Sequence, residues 1–258
     1  MPPTSLFPMT DWRRNVHFVL VEPEEPGNIG AAARAIKNMG FSNLCIVNPP
    51  VMTDEARWFA HNALDVLDSA KVYGSVKDAV ADKALVVGTA RRKGKSRGLI
   101  LPLEHGVQRI TGMVQDNSIA VLFGRESKGL LNEEVDLCGI LLTIQTSSAQ
   151  PSLNLGQAVM VVAYELSKAG WQMQEGGPSR GPGHQDRLKL VSHREVAALF
   201  ERMTGVLKRL DYIPRGDRDL ETKIMLNLRH FIGRAGLTDW ELNMLYGICA
   251  QIEKKIGN

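Results

Sequence analysis

The sequence predicts an α/β domain built on a mostly parallel sheet, followed by a small all-helical C-terminal module. Three observations carry that expectation. Short apolar runs alternate with helix-like segments through the first two thirds of the 258 residues. Three islands, Asn28-Ile-Gly-Ala-Ala-Ala-Arg34, Phe123-Gly-Arg-Glu-Ser-Lys-Gly-Leu130 and Pro151-Ser-Leu-Asn-Leu-Gly156, each stand where an apolar strand runs into a helix, the place where α/β proteins hold ligands. Past a glycine- and proline-rich stretch, apolar residues recur only at helical spacing.

Strands are expected at Val16–Val21, Leu44–Val47, Ala84–Val87, Ile119–Phe123 and Ile140–Ile144. Between the first two, Asn28 suits an N-cap, Ala31, Ala32, Ala33 and Ala35 favour helix and permit close packing, and Gly40 suits the C′ position. A last helix of this part starts near Leu153, with Ser152 as N-cap, and fades by Gly170. The stretch Glu175-Gly-Gly-Pro-Ser-Arg-Gly-Pro-Gly-His184 reads as a linker, which divides the chain into residues 1–171, a flexible connection 172–188 and a helical module 189–258. Within the module Leu199, Met203, Val206 and Leu210 share a helical face, as do Ile224, Leu228 and Phe231, and then Leu245, Ile248 and Ile252.

Composition narrows the function classes without choosing one. A net charge of +3 is only mildly basic, so contact with nucleic acid has to come from local patches. Cys45, Cys138 and Cys249 are odd in number and contain no CxxC pair, which argues against a disulfide framework or zinc site and for a reducing compartment. No metal-ligand spacing is found among the six histidines. No apolar run approaches the ~18 residues of a membrane span, and the first residues lack the pattern of a signal peptide, so a cytoplasmic protein is expected.

Each island has a plainer reading beside the functional one. Gly124 suits close approach of a ligand to backbone, yet Gly124-Arg125-Glu126 also describes an ordinary turn with a surface ion pair. Ser152 is explained by capping alone, but Asn154 is a mediocre helix former whose amide both donates and accepts. Arg34 on an alanine-rich helix is either solvated or presents its planar fork to an interface or phosphate. The segment Gly88-Thr-Ala-Arg-Arg-Lys-Gly-Lys-Ser96 mimics a P-loop, but five residues separate its glycines where four are required. What remains there is Arg91, Arg92, Lys93, Lys95 and Arg97 on one loop, which suits a phosphate backbone or plain solvation. Arg13 and Arg14 are candidates to extend that patch.

Taken together, the islands resemble the three signature motifs of the SPOUT-class RNA ribose methyltransferases, in the TrmH-like branch, and the segment Glu241-Leu-Asn-Met-Leu-Tyr-Gly-Ile248 resembles the helical extension of the tRNA 2′-O-methyltransferases within it. The resemblance implies an open α/β sheet with a C-terminal trefoil knot, a homodimer, S-adenosylmethionine as methyl donor, no metal, and tRNA as substrate, at the first nucleotide of the anticodon loop. It implies catalytic roles for Asn28, Arg34, Glu126, Ser152 and Asn154, and a cofactor cradle of Thr89, Ala90, Arg91, Gly124, Ile144, Pro151, Ser152 and Leu153. RNA contact falls to Arg13, Arg14, Arg34, Arg91, Arg92, Lys93, Lys95 and Arg97. Gln145 and Gln150-Pro151 depart from the usual third motif and bear on the cradle's shape. Arg34, with an ordinary pKa above ~12, is a poor base, so the expected role is to hold a phosphate and stabilise negative charge developing on the ribose oxygen. Ribosomal RNA as substrate, or a non-catalytic RNA-binding relative, are the alternatives.

Overall fold

The computed structural model describes residues 12–90, 98–174, 188–213 and 218–257. The chain runs through β1 (Val16–Val21), α1 (Pro26–Asn38), β2 (Asn43–Val47), α2 (Asp54–Ala60), α3 (Leu64–Asp68), β3 (Lys71–Tyr73), α4 (Val76–Val80) and β4 (Leu85–Thr89). It continues through β5 (Leu99–Pro102), α5 (Leu103–Met113), β6 (Ile119–Phe123), α6 (Asn132–Val135), β7 (Ile140–Thr143) and α7 (Leu155–Gln174). Three further helices follow: α8 (His193–Arg209), α9 (Arg218–Gly233) and α10 (Asp239–Ile256).

The strands form one sheet in the order β3-β2-β1-β6-β4-β7-β5, every pair parallel. Helices cover both faces, which is why the central strands are apolar almost without interruption rather than alternating. One face of the sheet packs Phe18, Leu20, Val121 and Phe123 against α1, α5 and α7; the other packs Val19, Val21, Cys45 and Leu122 beneath α4 and α6. The spans of β1 and β6 match the sequence expectation to the residue, and β2, β4 and β7 differ by a residue or two at their ends. Strands β3 and β5 were not expected. They are the two sheet edges, each short, one opening on Lys71 and the other ending in Pro102, so neither shows a long apolar run.

Helix α1 starts earlier than expected. Glu25, extended at φ −115°, holds the N-cap position and Pro26 the first helical position, where its missing N–H costs nothing. Asn28 is therefore the third helical residue rather than the cap, and its side chain is free to reach another loop. Gly40 does close the helix at φ +79°: the Phe41 N–H donates to the Ile36 carbonyl and the Gly40 N–H to that of Lys37, both at 3.0 Å. The expected close packing occurs at Gly30, where a Cβ would lie 2.0 Å from the carbonyl oxygen of Ala56 on α2. At α7 the cap is likewise displaced: the helix begins at Leu155, and the Asn154 side chain, not Ser152, receives the Gly156 and Gln157 N–H groups at 2.9 and 3.4 Å.

The last three helices enclose a core of their own: Val191, Leu199, Phe200, Met225, Ile232, Leu237 and Leu242. Ser192 and Thr238 start α8 and α10 with reciprocal capping boxes to Glu195 and Glu241. Leu199 and Val206 are buried as expected, but Leu210, Phe231 and Ile248 face solvent. The true inward faces of α9 and α10 carry Met225, Ile232, Leu242 and Cys249, one position round from the stripes the sequence suggested.

This unit docks on the amino ends of the strands. The His193 and Arg194 N–H groups donate to the carbonyls of Lys83 and Ala81, just before β4, at 2.7 and 3.0 Å. Asn117, just before β6, donates to the Leu188 carbonyl at 2.9 Å and accepts from the Leu190 N–H at 2.8 Å. Before β7, the backbones of Gly139 and Gly233 touch so closely that a Cβ on Gly139 would lie 1.9 Å from the Gly233 oxygen. Before β5, Gly98 at φ +72° faces the ring of His230.

Candidate active site

At the opposite, carboxyl ends, four loops converge. Strands β1 and β6 are neighbours, as are β6 and β4, and β4 and β7, so the turns that leave them meet over the crevice where the sheet's strand order reverses. Those leaving β4, β6 and β7 enclose a cavity of about 370 Å³. Thr89 and Ala90 from the end of β4, Gly124 to Leu130 after β6, Ile144 and Thr146 after β7, and Pro151, Ser152 and Leu153 before α7 line it. Seven residues assigned to a cofactor cradle from sequence, Thr89, Ala90, Gly124, Ile144, Pro151, Ser152 and Leu153, thus share one wall system. Arg91 lies outside the described residues, as do Arg92, Lys93, Lys95 and Arg97.

Gly124 is there because nothing larger fits. A Cβ at that position would lie 2.1 Å from the Gly129 carbonyl carbon and 2.2 Å from the Leu130 nitrogen, both backbone atoms. The loop folds back on itself at this point, with the Gly129 N–H donating to the Arg125 carbonyl at 2.8 Å and Gly129 itself at φ +69°. Thr89 and Ala90 are fixed by hydrogen bonds to the carbonyls of Leu122 and Leu142, both 2.9 Å.

The three islands are joined by a line of side chains. Asn154 Nδ2 donates to Asn28 Oδ1 at 2.8 Å, and Asn28 Nδ2 donates to Glu126 Oε1 at 2.7 Å. Glu126 accepts a further bond, 2.9 Å, from the Glu24 N–H, and Asn154 Oδ1 caps α7. A carboxylate can only accept, so it dictates which way both amides point. Asn28, Glu126 and Asn154 are therefore brought together as the sequence suggested, and Ser152, like Glu126, lines the cavity.

Arg125 does not pair with its neighbour Glu126. Its Nη1 and Nη2 meet Glu134 at 3.0 and 2.9 Å, and its Nε reaches Glu22 at 2.9 Å. The Arg125 and Glu134 side chains are only 10% and 7% exposed. The bond from Arg125 holds the Glu22 carboxyl below the usual glutamate range, and the paired carboxylates raise the Arg125 pKa. From sequence, Gly124-Arg125-Glu126 read either as a ligand turn or as a turn with a surface ion pair, and Arg125, Ser127, Lys128 and Thr146 were not expected as cavity residues. Ser127 and Lys128 lay within an island; the partners of Arg125, about a hundred residues upstream and nine downstream, left no local sign.

Arg34 is separate from the cavity. It stands on the exposed face of α1 and makes no hydrogen bond or ion pair among the described residues. Arg13 and Arg14 are not near either: they precede β1 at the amino end of the sheet, where Arg13 lies 5.1 Å over the Trp12 ring. Of the expected RNA-contacting set, the described members thus stand apart, Arg13 and Arg14 before β1 and Arg34 on the exposed face of α1. Among the described residues, no three His, Cys, Asp or Glu side chains group to hold a metal ion.

Comparison with known proteins agrees with this geometry. Residues 15–164 match the SpoU rRNA Methylase family, and residues 194–258 match the C-terminal domain of the tRNA methyltransferase TrmJ. The tRNA (cytidine/uridine-2′-O-)-methyltransferase TrmJ of Citrobacter koseri is 34% identical over 244 residues, 94% of this chain and 98% of that one. The tRNA (cytidine/uridine/adenosine-2′-O-)-methyltransferase TrmJ of Pseudomonas aeruginosa is 31% identical, covering 93% and 94% of the two chains. Among solved structures, that of TrmJ from Z. mobilis superposes with a TM-score of 0.76 at 29% identity, over 92% of this chain and 98% of the other. The chain belongs to the SpoU family of RNA methyltransferases, which use S-adenosylmethionine, and within it to the TrmJ group.

Proposed function

We propose that the chain methylates the ribose 2′-hydroxyl of a tRNA nucleotide, the first of the anticodon loop at position 32, as a cytoplasmic homodimer. The observation that carries this reading is a cavity of about 370 Å³ lined by residues of the second and third islands, to whose wall residue Glu126 the first island is tied through Asn28, which in turn holds Asn154. The cavity also suits the donor in character: hydroxyls of Thr89, Thr146 and Ser152 alternate with Phe123, Leu142 and Leu153, and a Cβ at Gly124 would wreck it. Bound there, S-adenosylmethionine supplies an electrophilic methyl on a sulfonium.

The chain's own residues have the tasks of holding and orienting. Ser152 and Asn154 fix the ribose approach, and Glu126 locks the β1–α1 turn to the cavity loop. Arg34 grips a phosphate and stabilises charge on the 2′-oxygen. Its exposed position suits a site completed by a second subunit. Trp58 and Phe59 on α2 (74% and 51% exposed) and Tyr164 and Trp171 on α7 (46% and 45%) stand on the two helices that pack against α1, an amount of apolar surface that a second copy would cover. The knotted threading of α7 and the docking of tRNA on the 189–258 module complete the reading. A second substrate, ribosomal RNA, is favoured by the description of the matched family.

Labelled S-adenosylmethionine, unmodified tRNA transcripts and the Arg34→Ala variant in parallel provide the test. Label at position 32 that makes the adjacent bond resistant to alkali, and that the variant fails to transfer, is the expected result. Label on ribosomal RNA alone would favour the second substrate.

A further inference from the structure

Three consecutive residues after Gly124 grip the turn between β1 and α1. Arg125 holds Glu22, Glu126 holds the Glu24 N–H and the Asn28 amide, and the Ser127 hydroxyl donates to the Glu24 carboxylate. Arg125 also reaches the other way, to Glu134 on α6, whose second oxygen accepts the Leu131 N–H at 2.7 Å. The cavity rim from Gly124 to Leu131 is therefore tied at its start to the turn that leads into Arg34's helix, and at its end to α6. Two carboxylates already occupy the guanidinium, so Arg125 has little capacity left for an RNA phosphate, despite lining the cavity.

We infer that Arg125 is a positioning residue for methyl transfer: by clamping Glu22 and Glu134 together it preorganises the rim of the donor cavity and keeps that rim in register with α1. This rests on the reading of the cavity as the S-adenosylmethionine site. Only arginine supplies the required fork, because lysine keeps the charge but lacks the two planar edges, Nε–Nη2 and Nη1–Nη2, that meet Glu22 and Glu134.

The test uses the full-length chain and its Arg125→Lys variant. Calorimetry with S-adenosylmethionine should show donor Kd weakened by about tenfold or more, the affinity lost when a site has to be ordered on binding. The KM for donor should rise to match, while kcat at saturating donor falls by less than about threefold, the pattern of lost ground-state binding. Hydrogen exchange at the Gly129 and Leu131 amides should quicken by about tenfold, from loosening of the rim. A double variant, Arg125→Gln with Glu134→Gln, removes the buried charges together and should fold better than Arg125→Gln alone, yet bind donor as weakly, because Glu22 is still released. Donor Kd at the wild-type value in either folded variant would overturn the inference, since the clamp would then be structural only. A kcat lost in proportion to kcat/KM would also overturn it, because Arg125 would then touch the reacting atoms. If the wild-type chain itself binds no S-adenosylmethionine, the cavity reading fails instead.

Discussion

Arg34 and Asn28 share a helix but serve different surroundings, and substitutions separate them. Arg34→Lys keeps a charge on the exposed face of α1 but loses the planar fork, so methyl transfer should fall by about tenfold to a hundredfold while donor Kd, measured by calorimetry, stays within about twofold. Asn28→Asp puts a second carboxylate where an amide now donates to Glu126 at 2.7 Å. Repulsion and a lost bond should destabilise the fold by about 1–3 kcal/mol in a urea titration and abolish most activity. His17, at the opposite end of the sheet, gives the pH dependence. Burial foremost, then Lys83, lowers its pKa to about 4, against an ordinary 6.5, with Asp82 opposing and Lys71 adding to the shift. The folded chain then binds fewer protons than the unfolded chain between those values, so this contribution is complete above pH 6.5 and is lost as pH falls towards 4. Unfolding free energies from urea titrations at pH 7 and pH 5 should differ by up to about 2 kcal/mol on this account, and His17→Gln should narrow the gap. Burial lowers the His193 pKa in the same direction, so part of the slope should survive that substitution.

The cavity loop, between β6 and α6, concentrates its constraints in few residues. Gly124→Ala should distort the turn, because the obstructing atoms are backbone, and should eliminate detectable donor binding with the sheet intact by circular dichroism. Here the sequence was informative and incomplete at once. Gly124, Glu126 and Ser152 could be picked out because strand, turn and helix signals are local. The cap of α7 was misassigned for a local reason too: Ser152 and Asn154 are both good caps, and only the tertiary bond from Asn154 to Asn28, 126 residues away, decides which one the helix uses. Pro26 overrode Asn28 at the start of α1 in the same way. Edge strands β3 and β5 were invisible because three or four half-exposed residues leave no pattern to read.

For the molecule as a whole, the seat of the last three helices is the feature composition could not reveal. Glycines at 139 and 233 look like any other loop and helix-end residues, yet their backbones meet. Gly139→Ala should push α9 away, so that hydrogen exchange accelerates in α8 to α10 while the protection of β1 and β6 is retained. Because that seat is made by loops entering the strands, and the cavity by loops leaving them, strands of four or five residues, about 15 Å of hydrogen-bonded sheet, separate the two. In evolutionary terms, under the proposed reading, such a division uncouples the choice of RNA from the chemistry: the helical appendage can be exchanged, enlarged or lost by descent while every wall of the cavity stays as it was.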